Sequence, residues 1–110
     1  FSDGARLTCY INDYGFENSF AKFLEHFSQS EKASSVLAIL ISSSGESQNI
    51  INSAAYCIQH NIKFICLTGF SSSNTLRSLS LGSCALDYWV DSSDYGIVEC
   101  LHGIFLHSVL

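Results

Sequence analysis

The sequence predicts an α/β domain of three layers, a parallel sheet with helices on both faces. The uncharged apolar run VLAILI at 36–41 reads as a strand buried on both faces, and IKFICL at 62–67 as a second buried strand. A third, ALDYWV at 85–90, follows after another helical stretch. Strands that alternate with helices imply right-handed crossovers and parallel pairing. In such sheets ligands bind beyond the carboxyl ends of the strands, where SSSGES, TGFSSSN and DSSDYG would gather.

Residues 2–13 lack periodicity and read as a loop with a short helix near Ala5 to Tyr10, followed by a turn at Asn12-Asp13-Tyr14-Gly15. Phe16, Phe20, Phe23, Leu24 and Phe27 then recur at helical spacing, giving an amphipathic helix to about Ser28 with these side chains as core. His26 falls on its polar side. After the first strand, Ile50, Ile51, Ala54, Ala55 and Ile58 form the buried stripe of a helix from Ser47 to about His60, with Asn61 as its C-cap. The second strand closes at Thr68-Gly69. A helix from about Thr75 to Leu81 precedes the third strand, and Asp91 to Asp94 cap a last helix that starts at Tyr95.

Composition sets the class. A chain of 110 residues with 47% hydrophobic content makes one domain able to bury a core. Ten acidic and five basic residues give a net charge of -5, and Arg6, Lys22, Lys32, Lys63 and Arg77 are scattered, which argues against a nucleic-acid surface. No apolar run approaches the ~20 residues of a membrane span and no signal peptide opens the chain, so the expectation is a cytoplasmic protein. The five cysteines lack CxxC spacing and sit mostly in apolar patterns, as at Cys57, Cys66 and Cys84; they read as reduced core thiols. A start at Phe1-Ser2-Asp3 without Met and an end inside a helical pattern at Leu110 suggest a piece of something longer.

The stretch with the most chemistry is SSSGES. Ser42, Ser43, Ser44 and Ser47 offer hydroxyls, Gly45 lets backbone approach a ligand, and the free amides of the following helix present the positive end of its dipole to an anion. This suits a phosphate monoester. It is neither a nucleotide P-loop, which needs Gly-Lys-Ser/Thr, nor a GxGxxG turn. On the residues alone, a serine-rich connection in which Ser47 merely caps a helix is an equal alternative.

ISSSGESQNII is similar to the ISTSGNSxNVI phosphosugar loop of sugar isomerase (SIS) domains, and the remainder resembles their phosphoheptose isomerase branch. SDGARLTCYINDYGFENSF resembles that family's SD/TD segment followed by GNDYGF, KFICLTG its TIALTG strand, and DYGIVECLHGIFLH its DTxxIQExHxxxxH helix. The four motifs stand in the family's order and cover nearly the whole chain. The resemblance implies a flavodoxin-like SIS fold, incomplete at the N-terminus, with residues 1–110 as the C-terminal portion of a single domain. It implies aldose-ketose isomerisation of sedoheptulose 7-phosphate to D-glycero-D-manno-heptose 7-phosphate, for heptose and lipopolysaccharide biosynthesis. It further implies zinc in some members and a homotetramer with its active site at a subunit interface, with no nucleic-acid or membrane partner. A non-catalytic SIS module that binds a phosphosugar or a protein partner is the alternative.

Residue by residue, the resemblance makes Ser42, Ser43, Ser44 and Ser47 the binders of phosphate and sugar hydroxyls and Asp3 a further sugar ligand. His107 falls on the family's acid/base and metal-binding histidine. Glu99 stands where the family has Gln; it keeps an oxygen ligand and adds a charge, so catalytic and metal roles are expected at Glu99 and His107 together. Eight residues separate the two, about 80° around a helix and ~12 Å along it, so each is expected to pair with groups from elsewhere, including a neighbouring subunit. His102 matches the first family histidine, and Cys100 reads as packing.

Overall fold

The structure, a computed structural model, describes residues 16–30 and 36–109. Asp3, the loop with its short helix over 2–13 and the turn at 12–15 lie outside the described residues. Helix α1 spans Phe16–Ser30, two residues beyond expectation. It packs on α2, Gln48–Gln59, where Asn52 Nδ2 donates to Asn18 Oδ1 at 3.2 Å.

Strands β1 (Leu37–Ile41), β2 (Lys63–Thr68) and β3 (Leu86–Trp89) form a parallel sheet in the order 1-2-3. Leu40 stands opposite Cys66, and Cys66 opposite Asp87. Both crossovers step the same way across the sheet, so α2 and α3 (Thr75–Ser80) share one face and touch each other. Helix α4 (Tyr95–Val109) takes the other. The pleat shows this at β3, where Asp87 binds Arg77 of α3 while Tyr88 stacks on Phe105 of α4 with ring centroids 4.5 Å apart.

The core lies between the sheet and α2–α3. It is made by Leu40, Phe64 and Cys66 from the strands, Ala54 and Cys57 from α2, and Leu76 from α3. Side chains of the size of Phe64 and Leu76, both fully buried, contribute about 1.5–3 kcal/mol each. The expectation that β1 is buried on both faces does not hold. Alternation sends Ala38 and Leu40 toward the core, while Leu37 and Ile41 point the other way and remain 54% and 41% exposed.

The turns follow from their residues. Helix α2 ends at Gln59 with His60 as its C-cap, and Asn61, expected as the cap, sits one position later at φ 57°, a left-handed value that asparagine tolerates. Ile62 N–H then donates back to Cys57 O at 2.9 Å, the six-to-one bond of a Schellman turn, and buries its own side chain. At the start of α4, Asp94 Oδ1 accepts from Gly96 N at 2.8 Å and Ile97 N at 3.2 Å, the cap expected of the DSSD segment.

Candidate functional site

Three loops meet at the carboxyl ends of the strands: 42–47 after β1, 69–74 after β2 and 90–94 after β3. The first leaves β1 with Ser42 N donating to Leu67 O at 3.0 Å. Ser42 is buried, and its Oγ accepts from Gly45 N and donates to Ser47 Oγ, each at 3.1 Å. Ser42 thus closes the loop from inside. Ser43 and Ser44 are half-buried and Ser47 is exposed.

Ser47 is the N-cap of α2 by position, yet its side chain makes no capping bond. Ile50 N is taken by Ser47 O at 3.1 Å and Asn49 Oδ1 at 3.0 Å, so the donors that this end of α2 keeps for an anion are the amides of Gln48 and Asn49 ahead of it. Gly45 lies at φ 71°, and a Cβ there would come 2.1 Å from Asn74 Oδ1. Only glycine fits.

The second loop is built around Asn74, which is 1% exposed. Its Nδ2 donates to Gly69 O at 3.1 Å and Ser71 O at 3.0 Å, while its Oδ1 accepts from Arg77 N at 2.8 Å and so caps α3. Two links join it to the serine loop. Leu76 N donates to Gly45 O at 2.9 Å, and the Glu46 carboxylate accepts from Thr75 N at 3.0 Å and from the Thr75 hydroxyl. These hydrogen bonds hold the Glu46 carboxyl below the usual carboxylate range. Phe70 sits at φ 59°, a strained value for a bulky residue, with its N–H donating to Ser92 O at 2.9 Å and its ring edge-on to Tyr95. That bond joins the third loop to the second.

Helix α4 separates its candidates by face. Val98 and His102 are buried; Glu99 and His107 are exposed. His102 Nε2 lies 2.8 Å from Thr68 O, so this histidine acts inside the fold. Cys100, expected to pack, is exposed, because two helical steps carry it about 200° around from Val98. Among the described residues no three His, Cys, Asp or Glu side chains converge. Glu99 and His107 supply two donors where a catalytic zinc takes three protein ligands, so the described residues alone do not fit that metal.

No family model matches the chain. It is 28% identical over 109 residues, 99% of its length, to the phosphoheptose isomerase of Fusobacterium nucleatum, and 39% identical over 70 residues to phosphoheptose isomerase 2 of Campylobacter jejuni, 64% of this chain and 33% of that protein. The chain is similar to phosphoheptose isomerases. It spans about half the length of the curated relatives that it matches end to end, 52% of the Fusobacterium protein. The fold agrees with that of a solved phosphoheptose isomerase from Francisella tularensis at a TM-score of 0.79, with 25% identity over 97% of this chain and 53% of that one. A second, from Neisseria gonorrhoeae, superposes at 0.80 with 23% identity, covering 97% of this chain and 56% of that one.

Within this phosphoheptose isomerase fold, sequence reasoning singled out the serines but missed Asn74, Phe70 and the Glu46–Thr75 contact. Asn74 had a readable signal, an N-capping residue directly before a helical stretch. The other two depend on how separate loops meet, which no local pattern encodes.

Proposed function

We propose that this chain carries the phosphosugar-binding part of an aldose-ketose isomerase acting on sedoheptulose 7-phosphate, for heptose and lipopolysaccharide biosynthesis in the cytoplasm. The observation that carries the reading is the 42–47 loop: a glycine that only glycine can fill, serine hydroxyls around it, and the uncapped amino end of the 12-residue helix α2. A phosphate dianion meets hydroxyls, amides and the positive end of the helix dipole there. The names of the relatives supply the heptose.

The chemistry of this reading moves a proton between C1 and C2 of the open-chain sugar through an enediol. A histidine that titrates near neutrality suits that task, and a carboxylate is its usual partner. His107 and Glu99 are assigned these roles. Both are exposed on α4 beside the exposed apolar Ile97 and Ile104, which favours a site completed by a neighbouring subunit of a homo-oligomer, a tetramer on the family's pattern. Zinc, where present, would draw on the same two side chains with ligands from outside the described residues.

A second reading is a non-catalytic module that binds a phosphosugar without converting it. It draws on the same 42–47 loop, which can seat an anion whether or not acid/base groups stand beside it. Turnover of sedoheptulose 7-phosphate by the purified protein, with and without chelator, separates the two. Turnover that disappears in His107→Ala supports the isomerase. Saturable binding without turnover, abolished by Ser43→Ala/Ser44→Ala, supports the module.

A further inference from the structure

Glu46 is the one charged side chain in the serine loop, and a carboxylate beside a phosphate site repels its ligand unless something holds it. Thr75 does so, with its N–H at 3.0 Å and its hydroxyl on the other carboxylate oxygen. The contact joins residues 29 apart in the chain, beside the Gly45 O to Leu76 N bond and the packing of Asn74 over Gly45. Of these three links it alone is made by side chains at the exposed surface of the loop.

We infer that Glu46 is a positioning residue for phosphate capture: clasped by Thr75, it locks the 42–47 loop onto the 69–75 loop and keeps its own charge engaged away from the incoming anion. The inference rests on the phosphosugar reading of this loop. It places Glu46 in setting affinity for the phosphate group, with no part in proton transfer. Removing the carboxylate frees the serine loop to sample geometries that bind poorly, and removing the Thr75 hydroxyl releases one carboxylate oxygen toward the ligand. Gln at position 46 still accepts from Thr75 N–H and keeps a polar partner for the hydroxyl, so it retains the clasp.

The test is a set of four variants of the purified protein, Glu46→Ala, Glu46→Gln, Thr75→Val and the double Glu46→Ala/Thr75→Val. Each is assayed for KM and kcat with sedoheptulose 7-phosphate and for competition by inorganic phosphate. Loss of two bonds to a charged group predicts about a tenfold rise in KM and in the phosphate inhibition constant for Glu46→Ala, with kcat within about twofold. Glu46→Gln stays within about threefold of the parent, and the double variant is no worse than Glu46→Ala, because both substitutions remove the same contact. Unchanged KM in Glu46→Ala, additive effects in the double variant, or an equal loss of kcat in all four overturns the inference. A parent that binds the sugar phosphate without turning it over rejects the isomerase reading but leaves this test intact, with dissociation constants in place of KM. A parent that neither converts nor binds it removes both.

Discussion

His102 donates from Nε2 to the carbonyl oxygen of Thr68 at 2.8 Å, pinning the last helix to the carboxyl end of the middle strand. Both residues are buried, at 2% and 0% exposure. A carbonyl only accepts, so the proton sits on Nε2, and Nδ1 is left without a partner. The ring stands edge-on to Tyr88. This bond fixes the turn at Thr68-Gly69, and Gly69 in turn lies so close to Val98 of α4 that a Cβ there would come within 2.7 Å.

The two histidines of α4 are therefore expected to separate in their effects. His102→Phe keeps a ring against Tyr88 but removes one of two bonds to the Thr68 carbonyl, which still accepts from Val90 N at 3.0 Å, so it should cost about 0.5–1.5 kcal/mol of stability. His107→Ala, at an exposed position, shifts stability by less than about 0.5 kcal/mol, whatever it does to turnover. Denaturant midpoints at matched m-values decide this. Equal midpoints for the two variants would remove the pin from the account of the fold.

Burial pushes the Cys57 thiol up to about 12, with Cys66 nearby adding to it, and burial pushes Cys66 up to about 11. At pH 8 a thiol reagent should label exposed Cys100 and leave Cys57 and Cys66 untouched until the protein unfolds. The sign of the pH effect follows from proton retention. The folded state holds protons that unfolded thiols release above the ordinary value of 9.0, so this stability is complete below that pH and is lost as pH climbs toward 11–12. The decline is at most about 1.4 kcal/mol per pH unit for each thiol, and Cys57→Ala should flatten it. On the acid side, Glu46 works in the opposite sense. Its folded-state value is depressed, so what it contributes is present above 4.5 and lost as pH falls further.

Much of this was legible in the sequence because the deciding forces are local. Asn61 ends α2 since it tolerates a positive φ, and Asp94 caps α4 since it is a short acceptor before a helical run. Ser42 to Ser47 stood out by their hydroxyls around a glycine before a helix, and the residues alone left a plain serine-rich connection equally open. What could not be read was relational. An apolar strand looks the same whether one face or two are covered, so Leu37 and Ile41 were expected to be buried. Helix α4 is apolar nearly all round, and periodicity could not say that Cys100 turns outward while His102 turns in.

Gly45 and Gly82 offer a paired test of crowding against backbone conformation. Both have positive φ, 71° and 80°, but a Cβ on Gly82 meets nothing within 4 Å while one on Gly45 strikes Asn74. Gly82→Ala should cost about 1–2 kcal/mol from the left-handed backbone alone. Gly45→Ala should cost at least 1–2 kcal/mol more, roughly the size of a lost helix cap, since Asn74 must leave its place on Arg77 N, and it should weaken inorganic phosphate binding as well. Thermal midpoints and phosphate titration report the two effects separately. Similar losses in both variants would show that Asn74 yields freely and that the loop is not built on that contact.

Arg77 holds three things at once, and lysine can replace only part of that. Its Nε donates to Asp87 Oδ2 at 2.8 Å, its Nη1 to Ser72 O at 2.9 Å, and its guanidinium lies over the Trp89 ring 4.8 Å from the centroid. The pair is partly shielded, with side chains 26% and 19% exposed, so the ionic part is discounted for solvent and the planar fork carries the argument. Arg77→Lys keeps the charge yet loses the stacking and one of the two directed bonds, and should cost about 1–2 kcal/mol. Trp89 is the sole tryptophan of the chain, so its emission reports on this cluster directly. A red shift with loosened protection of the 70–74 loop is the expected result. An unchanged spectrum and an unchanged unfolding midpoint would mean that Asp87 and the Ser72 carbonyl are satisfied equally well by a point charge, and that the second loop owes its shape to Asn74 alone.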